Sequence, residues 1–204
     1  MMKQALPLAL ACLMLGACSY TKTTLPNDQE AARYDPATSA RVRIFSSPEF
    51  IGAYQPGKSC AQLDTKAVNR GLIDTTVYKH QESYILWRKV DLRGMQPENY
   101  QNNVIGIPPS QATQRLQTDR LSYSEFVLPA GKPSVVHVKY LAQDGSCSPP
   151  PIMFEPQAGK DYEVSLQFTK ENFIATPRCQ VSVVALDGAA AIKQSVPVTT
   201  QPCR

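Results

Sequence analysis

Glycine, histidine and tryptophan are scarce in this chain: its 204 residues hold 10 Gly, 2 His and 1 Trp, against 17 Pro. With two histidines and no C-x-x-C pair, the familiar zinc-binding spacings are missing. No G-x-S-x-G motif occurs, which removes the nucleophile elbow of the α/β-hydrolases. Charge of one sign is lacking as well. The 21 Lys+Arg and 17 Asp+Glu are dispersed and sum to +4, without the basic stripe that a nucleic-acid binder carries. Long helix-period stretches are few and proline outnumbers glycine, which argues against a helical bundle. Wholesale disorder does not fit either, because 43% of the residues are hydrophobic and can fill a core. The length suits one domain with appendages.

The clearest appendage stands at the front. Residues 1–20 read MMKQALPLALACLMLGACSY, with Lys3 as the positive n-region and Leu6–Leu15 as a short apolar run. A permanent membrane helix needs about 20 apolar residues, so this run reads as a secretory signal. Leu15-Gly16-Ala17-Cys18 looks like a bacterial lipobox. Small residues at Gly16 and Ala17 admit the peptidase, and the Cys18 thiol is the nucleophile that takes the diacylglycerol. Residues 1–17 are therefore expected to be a signal peptide, and Cys18 the lipid-attachment site, with palmitate as the expected acyl group. Several acyl chains on one residue anchor stably, since each buried methylene contributes about 0.8 kcal/mol. Ser19 stands where an inner-membrane retention signal would place Asp, which favours the outer membrane.

Cysteine usage agrees with export. Cys12 belongs to the signal and Cys18 to the anchor, leaving Cys60, Cys147, Cys179 and Cys203. An even number in an oxidising envelope reads as two disulfides. Three pairings are open. Cys147 and Cys179 flank strand-like segments of one hairpin region, which favours joining them. Cys60–Cys203 would then tie the C-terminal tail to an early loop.

Beyond the anchor, residues 18–39 are polar and without hydrophobic period, and read as a flexible tether; residues 40–204 read as the folded domain. Val42 and Ile44 alternate with arginines in Arg41-Val42-Arg43-Ile44-Phe45, as in a half-buried strand. Phe50–Tyr54 and Tyr84–Val90 are further candidates. The cleanest alternation puts Tyr162, Val164, Leu166 and Phe168 on one face, with Glu163, Ser165 and Gln167 on the other. Val136, Val138 and Tyr140 alternate similarly, as do Val181, Val183 and Ala185. The expected fold is mainly β, an antiparallel immunoglobulin-like β-sandwich. Ala130-Gly131-Lys132 and Ala158-Gly159-Lys160 each precede such a strand at the same distance, and read as two similar turns. Ser146-Cys147-Ser148-Pro149-Pro150-Pro151 reads as a stiff, non-helical connection. Residues 95–120 form a polar insertion with few strand signals, in which Ser110 is placed to cap a short helix reaching Leu116.

Chemistry is thinly signalled. Gly52-Ala53-Tyr54-Gln55-Pro56-Gly57-Lys58-Ser59 matches the phosphate-loop pattern, and Val183–Asp187 imitates its magnesium-binding strand. The apolar alternation runs through Gly52 into Tyr54, however, and no strand–helix alternation surrounds it. A Pro-Gly turn after a strand is the expected structure. His137, between Val136 and Val138, is expected to face solvent with Lys139, and His80 to lie in a polar connection. Neither has an evident orienting partner. Paired-carboxylate hydrolysis stays open without geometry. Arg88, Lys89 and Arg93 are the densest basic group. No cofactor and no metal are expected.

The lipobox, Arg41–Phe45, Pro56-Gly57-Lys58-Ser59-Cys60, Phe154-x-Pro156-x-Ala158-Gly159-Lys160-Asp161-Tyr162 and Pro202-Cys203 together resemble a group of uncharacterised proteobacterial outer-membrane lipoproteins. The likeness covers most of residues 40–204. It implies a shared fold and carries over no catalytic residue. The expected role is a non-enzymatic structural or interaction module, lipid-anchored at the outer membrane on its periplasmic or outer face. Its expected partners are the membrane, through Cys18, and an envelope protein or glycan, with no nucleic acid. A small-ligand or glycan binder using residues 95–120 is the alternative. A hydrolase using His80 is the third.

Overall fold

Alternating apolar residues build two facing sheets, because a strand that buries every second side chain needs an apolar partner surface. The computed structural model describes residues 21–46, 50–63, 82–85, 88–91, 99–115, 121–142, 145–169 and 178–203. The signal segment, Cys18, His80 and Arg93 lie outside these residues.

The first half of the chain contributes β1 (Thr21–Pro26), β2 (Ser39–Ser46), β3 (Phe50–Gln55), β4 (Glu82–Ile85), β5 (Arg88–Asp91) and β6 (Asn99–Val104). The second half contributes β7 (Ser122–Pro129), β8 (Ser134–Ala142), β9 (Gly145–Cys147) and β10 (Ile152–Phe154). After these come β11 (Asp161–Thr169), β12 (Arg178–Asp187), β13 (Gln194–Pro197) and β14 (Gln201–Pro202). One sheet runs β1-β6-β7-β2-β11-β12-β13; the other runs β14-β10-β8-β3, with β9 also beside β8. Val42, Ile44, Val164, Leu166, Val181 and Val183 from the first sheet share a buried cluster with Val136, Val138, Tyr140, Ile152 and Phe154 from the second. Full burial contributes about 1.5–3 kcal/mol for each large side chain. The expected mainly-β sandwich therefore forms.

Several local expectations are corrected. Pairing is mixed rather than all antiparallel: β1 with β6, β6 with β7, and β2 with β11 are parallel. Tyr84–Val90 is not one strand, since β4 and β5 pair antiparallel as a separate two-stranded sheet. The insertion at 95–120 contains β6, whose polar side chains gave no alternation signal. Its short helix spans Gln111–Arg115.

The tether is corrected most. From Thr21 onward it belongs to the sandwich: β1 adds to the sheet edge, and Asn27 N donates to Val104 O at 2.8 Å. A short helix, Asp28–Ala31, follows, with the Asn27 side chain accepting from Glu30 N. Glu30 Oε1 then accepts from Val127 N at 2.8 Å, fixing the segment to β7. An edge strand needs backbone partners rather than a buried face, so its polar composition concealed it.

Both Ala-Gly-Lys repeats are turns, with Gly131 at φ 67° and Gly159 at φ 70°. One bond ties the first to the approach of the second, Gly131 N donating to Pro156 O at 2.8 Å, while Gly159 N ties the second to β2 by donating to Ser39 O at 2.9 Å. A Cβ at Gly131 would meet nothing within 4 Å, whereas one at Gly159 would lie 3.3 Å from Pro36 O. Gly131→Ala should therefore cost about 1 kcal/mol, the backbone term alone, and Gly159→Ala about 2 kcal/mol or more. Urea midpoints at unchanged m-value measure both, and equal costs would refute the steric contribution of Pro36.

Candidate functional site

Arg43 of β2 does not face water, and Arg41 does so only in part. Arg43 is 1% exposed, and in register it stands between Glu125 on β7 and Glu163 on β11, both equally buried. Its Nε and one terminal nitrogen donate to Glu125 Oε1 at 3.0 and 2.8 Å, and the other terminal nitrogen to Glu163 Oε1 at 2.7 Å. The guanidinium lies over the Tyr123 ring, 4.8 Å from its centre. Burial raises the Tyr123 phenol above its usual range, and Glu125 and Glu163 add to this against the opposing charge of Arg43. One row nearer the strand start, Arg41 makes a two-pronged bond to Asp161 at 2.7 and 2.9 Å. Burial pulls the Arg41 guanidinium down, but the bond and charge of Asp161 outweigh it and leave it raised.

The cover over this cluster comes from the insertion. Glu125 Oε2 accepts three successive backbone N–H groups, from Ile105, Gly106 and Ile107, at 2.7, 3.1 and 3.1 Å. Arg43 donates to the carbonyls of Ile107 and Pro108. Ser110 Oγ donates to Glu163 Oε1 at 2.6 Å while accepting from Thr113 N, so the predicted cap residue also closes the network. Lys193 N holds Pro109 O from outside. Two carboxylates with one guanidinium leave one formal negative charge, which the backbone and hydroxyl donors stabilise. A glycosidase pair needs a sugar and water between its carboxylates. Here Arg43 fills that place, and the group is closed to solvent. Both the expected half-exposure of Arg43 and that of Glu163 are thus corrected. Sequence held one hint, charged residues inside otherwise strong strands, but nothing marked residues 105–110 as their cover.

His137 is the second correction. It is 5% exposed on β8, where the arch Ser148–Pro151 passes over it between β9 and β10. Pro149 O lies 3.1 Å from Nε2 and can only accept, so Nε2 carries the hydrogen. Nδ1 is buried without a hydrogen-bond partner among the described residues. Burial, then the charge of Lys139, hold the imidazole below its ordinary 6.5, opposed by the bond to Pro149.

The remaining predicted residues separate. Cys60–Cys203 and Cys147–Cys179 are the disulfides. The second is not confined to one hairpin region, for it joins β9 to β12 and so bridges the two sheets. Strand β3 continues through Gly52 to Gln55, Gly57 turns at φ 67°, and a three-residue 3-10 helix, Cys60–Gln62, follows within the described residues. No phosphate-cradling helix opens there. Among the described residues no group of His, Cys, Asp or Glu is arranged to hold a metal ion. Arg88 and Lys89 fall in β5. The clasped turns border an open depression of 680 Å³, lined by Thr38, Lys132, Glu155 and Gln157 among others.

Arg43→Met strands two buried carboxylates and should cost about 3–5 kcal/mol in urea unfolding. Adding Glu125→Gln and Glu163→Gln should recover part of that loss; no recovery would show that charge is not the cause. The neutral ring of His137 gives a second prediction. The unfolded chain takes up a proton there as pH falls through about 6.5, and the folded chain only at lower pH. Stability from this residue is full above that window and lost as pH falls through it. Between pH 7.5 and 5.5, the wild type should lose more in urea midpoint than His137→Gln, whose amide can still donate to Pro149 O. Equal losses would refute the assignment. A scan against protein-family models, a search of curated proteins and a search of solved structures each found no match.

Proposed function

We propose that this chain is a lipid-anchored module of a bacterial cell envelope, a disulfide-stapled β-sandwich with a structural or interaction role at the outer membrane. The observation that carries this reading is the use of its cysteines. Four of them form the bridges Cys60–Cys203 and Cys147–Cys179, bonds that persist in an oxidising compartment. The other two fall in the signal-like segment and at the lipobox position Cys18. The resemblance to proteobacterial outer-membrane lipoproteins points the same way. A non-enzymatic role is supported by the state of the buried carboxylates, since Glu125 Oε1, Glu125 Oε2 and Glu163 Oε1 accept from Arg43, Ser110 and backbone N–H groups.

Ligand binding through residues 95–120 is less favoured, because Ile105–Ser110 is engaged in covering Arg43 and Glu125. An envelope protein or glycan is the proposed partner class. Cys18→Ser tests the anchor. The wild-type protein should sediment with membranes and incorporate labelled palmitate, and the variant should do neither. Membrane retention of the variant would sink lipidation as its sole attachment.

A further inference from the structure

If Cys18 carries lipid, the structure fixes how far the fold can stand from it. Only Ser19 and Tyr20 lie between Cys18 and Thr21, where β1 begins. Three Cα–Cα steps reach at most about 11 Å. A free 22-residue tether would instead allow an r.m.s. span of roughly 25 Å. The difference rests on β1 and the following segment being part of the fold, held by the register Thr21↔Asn99 to Pro26↔Val104 and by Glu30 on Val127 N.

Register also gives the direction. Strand β1 runs parallel to β6, and β6 runs parallel to β7 with Asn103 opposite Ser124. Thr21, paired with Asn99, therefore lies below the start of β7, and β7 runs in the same direction as β1, away from that end, to Pro129 and the Ala130-Gly131-Lys132 turn. At about 3.3 Å per residue, these strands separate Thr21 from that turn by roughly 30 Å. The second Ala-Gly-Lys turn lies at the same far end, through the bond of Gly131 N to Pro156 O. By sequence alone, the residues flanking Thr21 are of types that suit a headgroup layer, Tyr20 an aromatic and Lys22 a cation. The acidic residues Asp28 and Glu30 follow Pro26, beyond the other end of β1.

We infer that the sandwich is seated directly on the lipid headgroup layer by the Thr21 end of its seven-stranded sheet, with the paired Ala-Gly-Lys turns held away from the membrane at the opposite end. This rests on the lipid-anchor reading and deepens it, since the surface presented to a partner becomes the far end.

The test uses the full lipidated protein, reconstituted in phosphatidylcholine vesicles in which a minor fraction of lipid carries a headgroup nitroxide quencher. The single tryptophan is first removed as Trp87→Phe. A reporter is then placed near the anchor, as Gln101→Trp on β6, or far from it, as Gln157→Trp beside the second turn. A retained urea midpoint shows that each variant is folded, and Leu25→Trp, exposed on β1, replaces the near reporter if Gln101→Trp is not. Near-end fluorescence should be quenched several-fold more than far-end fluorescence. Inserting about 20 Gly/Ser residues between Tyr20 and Thr21 should abolish most of that difference. Equal quenching of the two reporters in vesicle-bound protein would overturn the seating while leaving the anchor intact. Protein that fails to float with the vesicles would overturn both.

Discussion

The guanidinium of Arg43 is the point on which the sandwich converges. It joins β7, β2 and β11 in one row and fastens Ile107 and Pro108 over them. A buried ion cluster of this kind is a poor source of net stability, because desolvation offsets most of the Coulombic gain. Its value lies in registry. Strands β2 and β11 are parallel, so no tight turn sets their alignment. Two rows set it instead, Arg41 with Asp161 and Arg43 with Glu163. A slip of one residue would drive an arginine into the apolar layer of Val42 and Ile44. A slip of two would leave an acidic residue buried and unpaired.

The same peptide groups that close the cluster connect it to the rest of the molecule. Glu125 takes three N–H groups of the chain leaving β6, and β6 is the strand on which β1 pairs. Val127, two residues along the same strand, gives its N–H to Glu30 and its carbonyl to the Tyr54 hydroxyl of the other sheet. Burial, with a smaller contribution from Glu30, holds that phenol far above its usual range, which keeps it a neutral donor. Strand β7 thus carries the charge network on one residue and both the N-terminal segment and the facing sheet on another. The disulfide between Cys147 and Cys179 adds a covalent bridge across the sheets.

What could be read from the sequence, and what could not, follows from this arrangement. Alternation correctly assigned the apolar faces of β8, β11 and β12, because hydrophobic period reports which side chains share a face. It does not report whether the opposite face is covered. Alternation leaves Arg43 and Glu163 on the polar side of their strands and points His137 to solvent, whereas segments outside those strands cover all three. For Arg43 the cover is Ile107 and Pro108, and for His137 it is Pro149. Strand β1 escaped for the converse reason. Thr23 to Pro26 are exposed, so its sequence shows no buried face at all, and only backbone pairing makes it a strand. Glycine at the repeated turns was legible, since both positions need a positive φ.

Cover over the outer side of β2 at Arg43 and of β8 at His137 limits where a partner can be met on those strands. Edges are the usual alternative, as an unpaired strand accepts another chain by backbone hydrogen bonding. Here three strands that end their sheet paths are short and terminate in proline: β1 at Pro26, β13 at Pro197 and β14 at Pro202. Proline has no N–H to donate and blunts such pairing. The charged groups of the interior are engaged with one another, and their cover loop is engaged with them. Among the described residues, the outer side of β11 and β12 stays open at Gln167 and Gln180, and the Ala-Gly-Lys end of the sandwich is a further surface for the proposed role. At that end, two positive-φ glycines make the turns that border one depression lined by Thr38, Lys132 and Glu155.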